Sequence, residues 1–343
     1  YGLNASWTLY NGNKRLKTIQ QEKLNNQMAE LDVATSENNI QESIAQVYIQ
    51  ILYAAESVKV NENTLQVSIA QRDRGQELLN AGSIAKSDLA QLEAQVSTDR
   101  YQLVTAQATL EDYKLQLKQL LELDGENEMN IYLPALSDEN VLAPLPTKRD
   151  VYISALSLRP EIEASKLNVE ASELGINIAK SSYFPTISLS AGIGTNHTSG
   201  SDFTFGEQVK NGWNNSIGLS VSVPIFNNRQ TKSAVQKAKL QYETSMLSLL
   251  DEQKALYKTI ESLWLDANSA QQRYAAANEK LKSTQISYEL ISEQFNLGMK
   301  NTVELLTEKN NLLQAQQEQL QAKYMAILNT QLLKFYQGDQ LAL

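Results

Sequence analysis

Two kinds of hydrophobic pattern follow one another along this chain. In residues 3–9, 187–193 and 217–225, apolar residues alternate with small polar ones. A period of two predicts β-strands with one apolar and one polar face. The exposed face of a soluble sandwich usually carries Lys, Glu or Arg, whereas every polar partner here is uncharged. An apolar face opposite a small polar face is typical of a membrane β-barrel, with lipid outside and a lumen inside.

The strands alone leave a second interpretation open, a soluble β-hairpin with ordinary aromatic residues at its ends. Residues 195–215, between the last two strands, are rich in Gly, Ser and Asn and favour an exposed loop. If the strands cross a membrane, aromatic residues at their ends should form an interfacial girdle. The candidates for this girdle are Tyr10, Phe184, Trp213 and Phe226.

Helical patterns of unusual length follow the first and the last strand. Residues 13–80 and 228–297 would each span ~100 Å at the helical rise of ~1.5 Å per residue. Apolar residues recur at steps of three and four from Ile40 to Val58 and from Leu89 to Leu120, with Asp99 as one polar residue in the seam. Sustained heptads of this kind predict long antiparallel coiled-coil hairpins.

A glycine interrupts each helical region, Gly82 in the first and Gly298 in the second. Glycine readily adopts the left-handed conformation that ends a helix, so both positions are predicted hairpin tips. The two glycines lie 216 positions apart, and the same lag places Asp88 on Glu304 and Tyr48 on Trp264. We interpret this recurrence as an internal duplication.

Composition argues against several kinds of partner and functional site. The net charge of −9 and the pI near 4.9 argue against nucleic acid as a partner and against a polybasic membrane anchor. The absence of cysteine excludes disulfides, thiolate metal sites and cysteine catalysis. No apolar run approaches the ~20 residues of a membrane-spanning helix. Because the chain opens in the middle of a strand pattern, we expect an N-terminal segment to precede Tyr1.

No constellation of residues predicts catalysis. The one histidine, His197, lies in the Gly/Ser-rich loop, where a solvated side chain is the usual state. Neither a P-loop nor a dinucleotide-binding motif occurs, so we expect no nucleotide, no other cofactor and no enzymatic activity.

Three motifs resemble the TolC family of outer-membrane efflux proteins. Residues 159–194, "RPEIEASKLNVEASELGINIAKSSYFPTISLSAGIG", resemble its most recognisable signature, in which a helix leads through an aromatic-proline pair into a strand. "VPIFNNRQ" at 223–230 is similar to the strand-to-helix junction of the family. "LGMKNTVELLTEKNNLL" at 297–313 resembles its second tip.

The resemblance implies a mainly α fold with membrane β-barrel strands, in which a homotrimer forms a duct. Each subunit would supply four strands to a twelve-stranded barrel, the first of them upstream of Tyr1. The helices would build a periplasmic tunnel below it. The implied domains are barrel strands and loop at 1–10 and 184–226, a first hairpin at 11–124, an equatorial connector at 125–183, a second hairpin at 227–337 and a tail at 338–343.

The function that the resemblance implies is passive export in multidrug resistance or type I secretion. The duct would stand in the outer-membrane lipid of a Gram-negative bacterium. Its tips would dock onto a periplasmic adaptor bound to an inner-membrane RND or ABC transporter. The implied adaptor contacts lie in residues 80–87 and 296–303 and include Asn80, Gly82, Ser83, Asn296, Gly298 and Met299.

The resemblance also assigns roles at the closed tip. Asp88 and Lys300 match the acid and the base that link neighbouring helices, and Phe295 stands at the position of a tyrosine. Phenylalanine cannot donate a hydrogen bond, so this part of the latch departs from the family pattern. Glu304 matches a ring of acids at the narrowest point of the pore. Thr307 stands where a second acid is common, which shifts that ring to Glu308 or removes it.

Two alternatives remain at this stage. Glu304 and Glu308 would be ordinary solvated glutamates if the tip were not a pore. The whole chain would be a soluble coiled-coil scaffold with β-hairpin caps if its strands did not face lipid.

Overall fold

A computed structural model describes residues 1–123, 131–132, 134 and 141–341. Outside the described residues lie residue 124 of the predicted first hairpin, residues 125–130, 133 and 135–140 of the predicted connector, and residues 342–343 of the tail. The described part is mostly helical with few strands, as the sequence predicts. The elements are β1 (Gly2–Asn11), α1 (Lys14–Asn80), α2 (Lys86–Leu120), α3 (Lys148–Leu158), α4 (Pro160–Lys180), β2 (Thr186–Gly194), α5 (Phe205–Asn211), β3 (Asn214–Ser222), α6 (Gln230–Asn296) and α7 (Thr302–Gln337).

The chain divides into two compact units. The first comprises residues 1–35 and 159–254, and the second comprises residues 36–158 and 255–343. Helices α1 and α6 each contribute to both units. Among the described residues, no helix has an apolar run long enough to cross a membrane.

The first unit contains an antiparallel sheet in the order β1-β2-β3. Its register brings like side chains together, since Leu189 lies opposite Trp7 on one side and Leu219 on the other. The small residue Ser190 lies opposite Ser6 and Gly218. Successive strand residues point to opposite faces, so the sheet has one apolar face and one face of small polar residues.

The apolar face of the sheet is open in the single chain. Ile217 is 83% exposed and Trp7 is 64% exposed, although burial of such side chains is worth about 1.5–3 kcal/mol each. A contiguous apolar surface of this kind marks contact with another surface, either protein or membrane.

Strand β3 is shorter than its alternating pattern. The alternation runs to Ile225, but the strand ends at Ser222. Its partner β2 begins only at Thr186, which lies opposite Ser222, and Pro224 has no N–H to donate to a ladder. The pattern of side chains therefore overestimates the strand by three residues.

Both long helices begin after a tight junction with left-handed residues. Gly12 and Asn13 have φ values of 65° and 62° before α1, and Asn228 and Arg229 have 50° and 62° before α6. The first junction is also crowded, because a Cβ on Gly12 would lie 2.7 Å from the carbonyl oxygen of Ser181. The start of α1 thus lies directly against the end of α4.

In the second unit, α1 and α2 bury only part of the predicted heptad seam. Ile51 and Leu92 are fully buried, whereas Ile40 is 48% exposed. Helix α1 also buries Ile49 and Leu52, which lie off the predicted seam. These two residues join a core with Tyr274, Ile327 and other residues of α6 and α7. The heptad pattern underestimates the buried surface of α1, because this helix packs on more than one side.

Candidate functional site

The two helix breaks have the same construction. Gly82 and Gly298 have φ values of 75° and 74°. In each break, the glycine N–H donates to the carbonyl three residues back, and the next N–H donates to the carbonyl five residues back. These are Schellman-type bonds, which satisfy carbonyls at the end of a helix. Glycine is favoured because other residues pay a steric penalty at this φ.

The helix after each break is capped by an acid at its third position. The Asp88 carboxylate accepts the N–H of Ala85 at 3.0 Å, ahead of α2. Glu304 accepts the N–H of Asn301 at 3.2 Å, and its own N–H donates to the Asn301 side chain at 2.9 Å. Acids in a first turn also interact favourably with the helix dipole. Asp88 and Glu304, which the 216-residue lag relates, therefore have matching local positions.

Lys300, the predicted basic half of the latch, contacts Glu304 within this chain. The ammonium lies 2.5 Å from the Glu304 carboxylate, and the two side chains are 33% and 40% exposed. Hydrogen bonds from Lys300 and from the Asn301 N–H hold the pKa of Glu304 below its ordinary value. In the described part of the chain, Lys300 is thus paired with Glu304 rather than with Asp88.

Phe295 lies in the core of the tip. It is 2% exposed and packs with Leu78, Leu92 and Leu305. In the single chain this ring holds the two helix breaks against one another, because Leu78 and Leu92 come from the first hairpin and Leu305 from the second. A tyrosine here would have to place its hydroxyl among apolar side chains.

The remaining tip residues are exposed or bonded locally. Asn80, Gly82, Ser83, Asn296, Gly298 and Met299 are all exposed. Glu308 accepts a hydrogen bond from Ser287 of α6 at 3.0 Å, and Thr307 donates to the carbonyl of Val303. The carboxylate of Glu308 is thus directed toward α6.

The main feature that the sequence analysis did not predict is a buried ion pair between Asp99 and Lys309. The Lys309 ammonium donates to the Asp99 carboxylate and to the Ser68 hydroxyl, which itself donates to Asp99. The three side chains are no more than 3% exposed and come from α7, α2 and α1. Gln95 donates to the second carboxylate oxygen at 2.9 Å. Burial lowers the pKa of Lys309, and the bond to Asp99 opposes that shift.

Only the acidic half of this pair has a signal in the sequence. Asp99 interrupts an apolar seam, which marks a buried polar residue in need of a partner. Its partner lies 210 residues away, and no local periodicity connects two such positions.

The predicted girdle aromatics lie near both ends of the sheet in the first unit. Asn11, Thr186 and Ser222 form one end of the register, and Gly194 and Asn214 lie at the other. Tyr10, Phe184 and Phe226 are near the first end, Trp213 is at the second, and all are at least 39% exposed.

Comparison with known proteins decides the family. The sequence profile of the outer membrane efflux protein family matches residues 151–338. The chain belongs to this family. The resemblance to the TolC family found in the sequence is thereby confirmed. It is a family of efflux ducts rather than of enzymes.

Curated relatives in the efflux family include the outer membrane efflux protein BepC of Brucella suis. It is 24% identical over 294 residues, which cover 85% of this chain and 61% of that protein. The outer membrane protein TolC of Escherichia coli is also 24% identical, with 83% and 58% covered. The chain therefore spans about three fifths of these relatives.

Solved structures show the same fold. A crystal structure of CusC matches with a TM-score of 0.84 at 19% identity, covering 99% of this chain and 77% of that one. The outer membrane protein VceC of Vibrio cholerae matches with a TM-score of 0.79 at 17% identity, covering 99% and 80%. This chain thus shares the fold of both solved structures.

Proposed function

We propose that this efflux family member is a subunit of an outer-membrane duct through which a tripartite efflux or secretion system exports its cargo. The observation that carries the proposal is the uncharged sheet with an open apolar face and an opposite face of small polar residues. Such a sheet suits a barrel wall between lipid and water. Family membership supports this function and gives no support to a soluble scaffold.

The proposed assembly is a homotrimer in the outer membrane of a Gram-negative bacterium, with its helices in the periplasm. The two outer strands of the sheet favour assembly, because an unpaired strand edge is not tolerated in lipid. The exposed glycine tips are the proposed contacts with a periplasmic adaptor on an RND or ABC transporter. The like construction of the two tips supports the proposed duplication.

The test of the duct is made with the full-length protein. Reconstituted into planar bilayers, it should give discrete conductance, and deletion of its gene should raise accumulation of an exported dye in the producing cells. A protein that stays water-soluble without detergent and gives no conductance would contradict the proposal.

The proposed latch joins Asp88 of one subunit to Lys300 of a neighbour. Exposed ion pairs are worth only about 0–1 kcal/mol, so several copies of a weak link would suit a gate that a partner opens. Asp88→Lys should therefore raise vancomycin uptake in cells producing the protein. Asp73→Lys, which reverses an exposed acid on α1 rather than the half-buried Asp88 of α2, is the control. Equal uptake with both variants would rule out the latch.

The proposed acid ring consists of Glu304, with Glu308 as the candidate for a second ring. Three copies of Glu304 at a constriction would make the closed tip attract cations. Glu304→Gln should reduce cation selectivity in planar bilayers titrated with divalent cations. Glutamine at the third position preserves the capping box, so the helix start should stay intact. Unchanged selectivity would mean that Glu304 makes only its local contacts with Asn301 and Lys300.

A further inference from the structure

Charge is distributed unevenly around the sheet of the first unit. The strand residues 1–10, 186–194 and 214–222 contain no Asp, Glu, Lys or Arg. Where the strands meet the long helices, residues 11–21, 174–184 and 227–236 contain six cations and no acid. This local excess occurs in a chain whose net charge is −9.

The six cations lie at one end of the sheet. The register places Asn11, Thr186 and Ser222 side by side, and α1, α4 and α6 adjoin these three strand ends. Gly12 lies against Ser181, so the start of α1 and the end of α4 lie close together. We call this set the basic collar: Lys14, Arg15, Lys17, Lys180, Arg229 and Lys232.

The collar is open to solvent and to ligands. Five of its six side chains are exposed, and Lys17 is half-buried. Within the part of the chain that the structure describes, none of the six forms an ion pair with an acid. The nearest acids along the three helices are Glu22, Glu173 and Glu243. Each lies farther from the sheet along its helix than the collar residues do.

The opposite end of the sheet differs. The loop of residues 195–213 carries Asp202, Glu207 and Lys210, a net charge of −1. Glu207 caps α5 through bonds with Thr204. An excess of cations is therefore not found at both ends of the sheet. It occurs only at the end where the strands join the long helices.

We propose that the basic collar binds the headgroups of anionic phospholipids in the leaflet on the helix side of the membrane. The proposal rests on the membrane location of the sheet. Exposed Lys and Arg next to a membrane segment attract anionic lipids by about 1 kcal/mol each, about fivefold in binding per cation. The aromatic residues Tyr10, Phe184 and Phe226 at the same end would lie at headgroup level, so the cations would meet phosphates directly.

The collar is tested by replacing one lysine on each of its three helices. Full-length wild type and Lys14→Gln/Lys180→Gln/Lys232→Gln are purified in neutral detergent with phosphatidylglycerol or phosphatidylcholine. Bound lipid per protein is then counted by native mass spectrometry. Lys59→Gln/Lys258→Gln/Lys282→Gln is the control, because it removes the same charge from exposed positions of α1 and α6 in the other unit.

Wild type and control should bind phosphatidylglycerol in preference to phosphatidylcholine, and this preference should weaken with salt. The collar variant should lose at least about fivefold in phosphatidylglycerol binding. Equal loss in the control variant, or retention of lipopolysaccharide instead of phosphatidylglycerol, would overturn the proposal.

Conductance in planar bilayers separates failure of the collar from failure of the duct. A collar variant that still conducts has folded and inserted, so its lipid counts are interpretable. If wild type conducts but shows no preference for phosphatidylglycerol, the collar is wrong and the duct stands. If wild type neither inserts nor conducts, both are wrong.

Discussion

At the scale of single residues, the Asp99–Lys309 pair is an ion pair buried between helices. Both charges are removed from water, and desolvation opposes the attraction between them. What makes the arrangement tolerable is its hydrogen bonding: Ser68 and Gln95 complete the environment of the carboxylate. Through Ser68, the pair joins α1, α2 and α7.

Lys309→Met should lower the free energy of unfolding by about 3–5 kcal/mol, since it leaves the Asp99 charge buried and unpaired. Lys280→Met removes the lysine of an exposed pair with Glu318, also between helices, and should cost about 0–1 kcal/mol. Urea unfolding of the full-length protein in detergent measures both. Similar values for the two variants would show that the buried charge is compensated elsewhere.

Restoration by a second substitution separates charge from packing. Asp99→Leu with Lys309→Met replaces the pair with apolar side chains, and such replacements are often neutral or stabilising by about 1–4 kcal/mol. The double variant should therefore be more stable than Lys309→Met alone. If it is less stable, the effect of Lys309 lies in its packing and not in its charge.

At the scale of elements, local patterns predict what local interactions determine. Period-two alternation locates all three strands, and the glycines that interrupt the helical patterns locate both helix breaks. Contacts between distant segments leave no such signal, so Lys309 and the core position of Phe295 could not be predicted. The net charge of the whole chain could not predict the collar either, because it does not show where along the chain the cations are concentrated.

The junction between β1 and α1 leads to a prediction about two glycines. Gly12→Ala and Gly82→Ala each place a side chain at positive φ, which costs about 1–2 kcal/mol. Gly12→Ala additionally forces its Cβ against the Ser181 carbonyl, whereas a Cβ at Gly82 meets no atom within 4 Å. Thermal unfolding should therefore show the larger loss for Gly12→Ala, by about 1–3 kcal/mol.

Gly206→Ala is the control for these glycine variants. Gly206 lies in α5 at an ordinary φ, with nothing within 4 Å of an added Cβ. Its substitution should be neutral or slightly stabilising, by about 0.4–1 kcal/mol. Equal effects at Gly12 and Gly82 would mean that the junction opens to accept the methyl group.

At the scale of the whole molecule, the proposed barrel wall predicts opposite outcomes at neighbouring residues of β2. Leu189 lies on the apolar face and Ser190 on the polar face. A lysine facing lipid near the membrane centre costs about 2–4 kcal/mol, whereas a lysine facing the lumen mainly alters ion selectivity. Leu189→Lys should therefore reduce the amount of folded protein in outer-membrane fractions, and Ser190→Lys should not.

The converse result is equally informative. If Ser190→Lys abolishes insertion while Leu189→Lys is tolerated, the polar face is the one that meets lipid or a partner, and the proposed orientation of the sheet is wrong. Planar-bilayer recordings of Ser190→Lys, compared with wild type, would show whether its charge lies along the ion path.

The sheet order β1-β2-β3 has a consequence for how the protein is made. In the described chain each outer strand pairs on one side only, which leaves a row of unsatisfied N–H and C=O groups along the other. If the sheet is part of a barrel wall, as proposed, hydrocarbon offers these groups no partner, and a single subunit would not insert stably before other subunits join it. In the proposed assembly, the subunits would therefore associate before or during their insertion into the membrane.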